Sequence, residues 1–343
     1  MKSRFLLALL GGAVCAATAA AAPVDTLQSI KAKGSLACGV STGNPGFSAT
    51  DDKGEWKGLD VDFCHAVSAA VLGDPSKVKY NPLSSKVRFT ALQSGEIDIL
   101  SRQTTWTASR EAGLGLMFAG VMYYDGQGFM VNSKKVSGVT SAKQLSGATV
   151  CVLTGTTGEL NMADYFKANK IEFSPVVFEK IEEAKAAYDA GRCDVYTDDQ
   201  SNLYSARLSL AAPADHVVLP EIISKEPVGP VVRQGDDRWL NVVKWTYFAL
   251  VQAEEFGITQ ANVEEMKNSS NPEIKRLLGQ EAGATIGTDF GLSSDFVVNV
   301  IKAVGNYGEI FERNIGQQSP LKIERGKNAL WTQGGLQYAM PFR

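Results

Sequence analysis

A block of residues occurs twice in this chain, and it restricts the fold more than any other feature. Phe89-Thr-Ala-Leu-Gln-Ser-Gly-Glu-Ile-Asp98 is echoed by Ala184-Lys-Ala-Ala-Tyr-Asp-Ala-Gly-Arg-Cys-Asp194. Each copy reads as a helix, a glycine that can stop it, and a strand that opens on Asp. Matching elements lead up to and include both copies. In the first half these are strand Ser35–Val40, helix Asp60–Leu72, strand Val78–Pro82, helix Phe89–Gln93 and strand Ile97–Leu100. In the second half they are strand Ala148–Leu153, helix Gly158–Ala168, strand Pro175–Phe178, helix Ile181–Ala190 and strand Cys193–Tyr196. Alternating strands and helices predict an α/β fold with parallel sheets, one per lobe. A length of 343 residues suits two such lobes.

Two further strands link the halves. Gly126–Val131 leaves the first lobe, and Val228–Val232 can return to it before a helix over Trp239–Phe256. The expected division is lobe 1 over 23–126 and 232–343, lobe 2 over 132–226, and a two-strand hinge at 127–131 and 227–231. Residues beyond about 257 read as a helical extension packed on lobe 1.

The N-terminus reads as an address. Lys2 and Arg4 precede an apolar run, Phe5–Val14, too short to span a bilayer, and small residues follow through Ala22. This is the pattern of a secretory signal peptide over 1–22, cleaved near Ala20 to Ala22. Pro23 disfavours the bond after Ala22, and Val14 before Cys15 argues against lipidation. Export places the mature chain in the periplasm, where disulfides form. Cleavage leaves Cys38, Cys64, Cys151 and Cys193, which allow three pairings. Pairs 38–64 and 151–193 would put one bridge in each lobe; four buried free thiols are the plain alternative. A formal net charge of −3 argues against a nucleic-acid partner.

No catalytic or metal motif is present. The two histidines, His65 and His216, are expected on a solvent-facing helix side and in a loop. With so few histidines and no C-x-x-C, neither a metal nor another cofactor is expected. Three segments just past strand ends carry the chemistry, where open α/β sheets bind ligands. They are Ser101–Arg110, Thr154–Gly158 and Thr197–Gln200. The first offers a guanidinium and the second a helix N-terminus; both suit an anion. The third offers Asp198-Asp199, which suits a cation. A small zwitterion such as an α-amino acid would meet all three.

Gly58-Leu-Asp-Val-Asp-Phe63, Gly95-Glu-Ile-Asp98, Thr107-Ala-Ser-Arg110, Gly155-Thr-Thr157 and Gly191-Arg-Cys-Asp194 with Asp199 occur in one order over residues 29–256. Together they resemble the bacterial extracellular solute-binding proteins of family 3, the amino-acid receptors of ABC transporters. Gln103–Arg110 and the tail from Asn328 to Arg343 are similar to the general L-amino-acid-binding branch of that family. The resemblance implies a two-lobed type II periplasmic-binding-protein fold and a non-enzymatic monomer. That receptor binds L-amino acids broadly and delivers them to permease subunits in the inner membrane. It implies that Arg110 grips the α-carboxylate, helped by Thr105, Thr156 and Thr157. Asp199 takes the α-ammonium, with Gln103 assisting. Ser41, Asn44 and Phe47 line the side-chain end, and Trp106 walls it. Departures lie at Asn44, where an aromatic is common, and at Arg102, where a small hydroxyl is common. The alternative reading is a periplasmic enzyme on the same fold, resembling cyclohexadienyl dehydratase; a sensor-input lobe would need a fused segment.

Overall fold

The computed structural model describes residues 25–343. The expected signal peptide, with Cys15, lies outside the described residues. Helix α1 (Thr26–Lys33) leads into β1 (Leu36–Val40), a short β2–β3 ribbon (Ala49–Thr50, Trp56–Lys57) and α2 (Leu59–Leu72). β4 (Val78–Pro82), α3 (Arg88–Ser94), β5 (Ile99–Thr105), α4 (Ala108–Leu114), β6 (Leu116–Phe118) and β7 (Tyr123–Asp125) complete the first pass. The second lobe holds β8 (Gln127–Asn132), β9 (Ala148–Leu153), α5 (Thr157–Ala168), β10 (Phe173–Phe178), α6 (Ile181–Asp189), β11 (Val195–Asp199), α7 (Gln200–Leu208) and β12 (His216–Val218). β13 (Glu226–Arg233) returns to the first sheet and α8 (Asp237–Glu255) covers it.

The sheets are mixed rather than wholly parallel. β4-β1-β5 and β10-β9-β11 run parallel, as expected. β13 pairs antiparallel with β5, β6 and β7, and β8 pairs antiparallel with β11 and β12. The reason is topological. β8 and β13 each enter from the other lobe, at the end where the parallel strands finish, and so run against them. The segments expected as hinge, 127–131 and 227–231, are therefore strands of the sheets themselves. The chain changes sheet just before each of them, at Gly126 and between Val218 and Glu226.

The repeated block has a structural role in both lobes. Gly95 (φ 83°) and Gly191 (φ 80°) sit in the left-handed region that ends each helix. The Asp of each block ties two strands together. The Asp98 carboxylate accepts from the Ala37 N–H at 2.9 Å, and the Asp194 carboxylate from the Thr149 N–H at 2.8 Å. Neither reaches the cleft. Gly58 opens α2 at φ 128°, and a Cβ there would meet the Phe47 carbonyl at 2.1 Å, which requires glycine in that motif.

Disulfides join Cys38 to Cys64 and Cys151 to Cys193, so each lobe carries one bridge. The first pins β1 to α2; the second pins β9 to the residue leading into β11. The remaining helices, α9 (Val263–Met266), α10 (Pro272–Leu277), α11 (Ile286–Asp289), α12 (Phe296–Val304) and α13 (Tyr307–Asn314), share the first lobe's core. α12 packs on α2 and α13 on α8. Tyr307 donates to the Met122 carbonyl at 2.7 Å, and Asn328 accepts from the Tyr124 N–H at 2.7 Å. Among the described residues, no helix is long and apolar enough to cross a membrane.

Candidate functional site

A small cavity lies between the lobes, at the C-terminal ends of the parallel strands. The first lobe contributes Ser41, Asn44, Ser85, Arg88, Arg102, Gln103 and Thr105. The second contributes Leu153, Thr156, Thr157, Gly158, Ile181, Thr197, Asp198, Asp199 and Asn202. Hydrogen bonds cross the gap around it. Asn44 donates to Asn202 at 2.7 Å, Gln103 to Ser201 at 3.2 Å, Ser205 to the Pro45 carbonyl at 2.9 Å and Arg88 to the Gly155 carbonyl at 3.4 Å. Thr105 and Thr157 share a 3.4 Å hydroxyl contact.

Local folding places each group. β5 runs on to Thr105 and β11 to Asp199, several residues further than the apolar pattern indicated. Arg102, Gln103, Thr105 and Asp199 are thus strand residues, not loop residues. Strand pairing over polar positions leaves no apolar alternation to read. Gln103 takes a left-handed backbone (φ 37°), which is strained for a residue with a Cβ. Its side chain accepts from Asn44. Thr156 caps α5, accepting from the Glu159 N–H at 3.2 Å and donating to the Leu153 carbonyl at 2.7 Å. The first N–H groups of α5, at Thr157 and Gly158, therefore start at the cavity wall without intrahelical acceptors.

Three of the expected residues stand away from the wall. Arg110 lies behind Thr105, donating to its carbonyl at 2.7 Å, with the guanidinium 5.1 Å from the Phe89 ring. Phe47 is fully buried in the first lobe's core, edge-on to Tyr123. Trp106 is 37% exposed, stacks on Phe118 and donates to Glu111 at 2.9 Å. The histidines also differ from expectation. His216 is buried in β12 and bonded to Tyr188; His65 is half-buried against Tyr80. Neither lines the cavity.

Buried groups of both charges surround this space. Asp199 has Asp125, Asp198 and Glu226 as neighbours; burial first, then these carboxylates, push its carboxyl well above the usual range, against the pull of Arg110. Burial raises Asp125 to about 7, and Ser201 donates to it at 2.5 Å. Asp60, behind Gln103, is pushed by burial to about 7. The cationic side comprises Arg88, Arg102 and Arg110, each lowered chiefly by burial, Arg102 to about 10. Several buried polar atoms here have no hydrogen-bond partner: Ser41 Oγ, Asp60 Oδ2, Arg88 Nε and Gln127 Oε1. Buried polar groups are rarely left so, and two of these residues, Ser41 and Arg88, line the cavity.

Arg88, Ser85, Asn202, Gln127, Asp125 and Glu226 were not legible as site residues. Arg88 and Ser85 follow β4, so the strand-end rule that flagged the other segments could have found them. Glu226 accepts from Thr157 at 2.8 Å and Asn161 at 2.7 Å across the lobes, with no local signal.

The comparisons agree with this geometry. A family model described as bacterial extracellular solute-binding proteins, family 3, matches residues 36–261. The chain is 64% identical, over the full length of both, to a general L-amino acid-binding periplasmic protein of Rhizobium johnstonii. It is 55% identical to a glutamate/glutamine/aspartate/asparagine-binding protein of Rhodobacter capsulatus, covering 96% of this chain and 97% of that one. A solved ABC-transporter periplasmic binding protein from Brucella ovis, with glutathione bound, superposes with a TM-score of 0.92 at 69% identity, covering 93% of this chain and all of that one. On the matched sheets, the interlobe cavity and these relatives, the chain belongs to the bacterial extracellular solute-binding proteins, family 3.

Proposed function

We propose that the exported chain is the periplasmic receptor of an amino-acid ABC importer. It closes over one L-amino acid between its lobes and, as a monomer, presents it to the permease in the inner membrane. One observation carries the reading: buried guanidinium groups and buried carboxylates flank the same small cavity. Each set is costly to bury alone. An α-carboxylate near Arg110, Thr105 and the first N–H groups of α5, with an α-ammonium near Asp199, compensates both. Charge-assisted hydrogen bonds in a site shielded from water supply the affinity. Ser41 and Asn44 would face the side chain, and Gln103 would assist Asp199.

Breadth of specificity follows if most contacts go to the two shared charges. Calorimetry of the mature protein, freed of bound ligand by unfolding and refolding, is expected to show several chemically unlike L-amino acids binding. One tight ligand with the rest silent would remove the breadth; no binding by any would remove the reading. A γ-glutamyl peptide is a second reading, favoured by the Brucella ovis relative. Glutathione carries the same α-amino and α-carboxylate pair on its glutamyl end, so it belongs in the panel.

A further inference from the structure

We infer that Arg88 and Arg102 form a second anion seat, so the ligands this cavity favours are L-amino acids carrying a second carboxylate on the side chain. The inference rests on the amino-acid reading above and names the ligand class within it.

The α-carboxylate of any amino acid needs one guanidinium, yet three are buried here. Arg88 and Arg102 line the cavity wall and are 3% and 5% exposed. The arginines that pair with carboxylates, among the described residues, are elsewhere: Arg238, Arg276, Arg313, Arg325 and Arg343. Asp60 and Asp198 stand near enough to Arg102 to favour its charge, but not to pair with it. Asp198 is already engaged by Tyr196 and Asn202. Arg88 has Asp199 and Asp198 near enough to favour its charge, again without pairing, and Arg102 and Arg110 as like-charged neighbours. Such an arrangement calls for an anion brought from outside.

The geometry fixes the two forks without using them up. Arg102 donates through Nε to the Leu83 carbonyl at 2.8 Å and through Nη2 to Ser85 at 3.1 Å. Those bonds hold the group in place and leave its remaining N–H donors. Arg88 spends one donor on the Gly155 carbonyl and lies 4.7 Å from the Phe89 ring, while its Nε has no partner. Arg110 lies behind Thr105, donating to its carbonyl, and has Glu226 and Asp199 near enough to favour its charge. With the α-carboxylate on the Arg110 side, as in the proposed function, a side-chain carboxylate falls to Arg88 and Arg102, which line the cavity. Planar forks of this kind match carboxylates.

The test is calorimetry with L-glutamate, its γ-methyl ester and L-alanine. All three share the α-groups; only L-glutamate adds a charge. Wild-type protein is expected to bind L-glutamate at least about tenfold tighter than the ester. Arg102→Gln and Arg88→Gln are each expected to shrink that ratio to within about threefold. Equal wild-type affinity for L-glutamate and the ester, with L-alanine still binding, would overturn the second seat and leave the amino-acid reading standing. Binding of none of the three would overturn the reading itself. The wild-type comparison decides the matter even if neither variant folds.

Discussion

Arg110→Ala and Asp199→Asn separate recognition of the shared charges from recognition of the side chain. Losing one partner of a desolvated charge pair costs about 2–5 kcal/mol, or ~30-fold to several thousand-fold in affinity. Both substitutions are expected to weaken every L-amino acid by similar factors in calorimetry. Arg110→Lys is expected to recover only part, because an ammonium cannot offer two parallel bonds. Binding by Arg110→Ala within about threefold of wild type contradicts the assignment. The acidic side also makes binding depend on pH. Asp125 and Asp60 have folded values near 7, above those of a free carboxyl. Such groups take up protons on folding, so they oppose stability increasingly as pH rises from about 4 to 7. A ligand ammonium beside Asp199 and its neighbours favours their ionised forms. Amino-acid binding at pH 6 is therefore expected to release protons, read as a buffer-dependent enthalpy, and to tighten toward pH 7. Proton uptake on binding would be the wrong sign. At this scale, the sequence marked Thr105, Thr157 and Asp199 because strand ends are where ligands sit. It misplaced Phe47 and Trp106 at the wall, since whether an aromatic faces a core or a cavity depends on contacts distant in the chain. Tyr123 and Phe118 are those contacts.

Elements were legible wherever their pattern was apolar. β1 and β9 fell within a residue of expectation because Val, Leu and Cys mark them. The polar ends of β5 and β11 were read as loop, yet they hold Gln103 and Asp199 and hence the cleft. Antiparallel entry of β8 and β13 was illegible, since it follows from which end of the sheet the chain arrives at. The disulfides were readable from one-per-lobe placement. Cys151 and Cys193 are 42 residues apart, and closing such a loop contributes about 3–4 kcal/mol in the chain-entropy model. The double variant Cys151→Ser with Cys193→Ser is expected to unfold at lower urea, with amino-acid affinity retained where it stays folded. An unchanged midpoint would mean the bridge adds nothing to the second lobe.

On the scale of the whole molecule, two lobes with separate cores meet through polar contacts around a charged cavity. The repeat announced the lobes. The interface was not readable, because contacts such as Asn44–Asn202 and Thr157–Glu226 join residues from opposite lobes with no motif between them. The C-terminal helices enlarge only the first lobe, binding the segment before β7 and β7 itself through Tyr307 and Asn328. The central claim is that the molecule closes on the two charges of an amino acid. Calorimetry with L-alanine, N-acetyl-L-alanine and L-alaninamide tests it most directly, since each derivative lacks one charge and keeps the rest. L-alanine is expected to bind, and each derivative at least about 30-fold more weakly, the smallest loss expected for breaking such a pair. Either derivative binding within about threefold of L-alanine would contradict it.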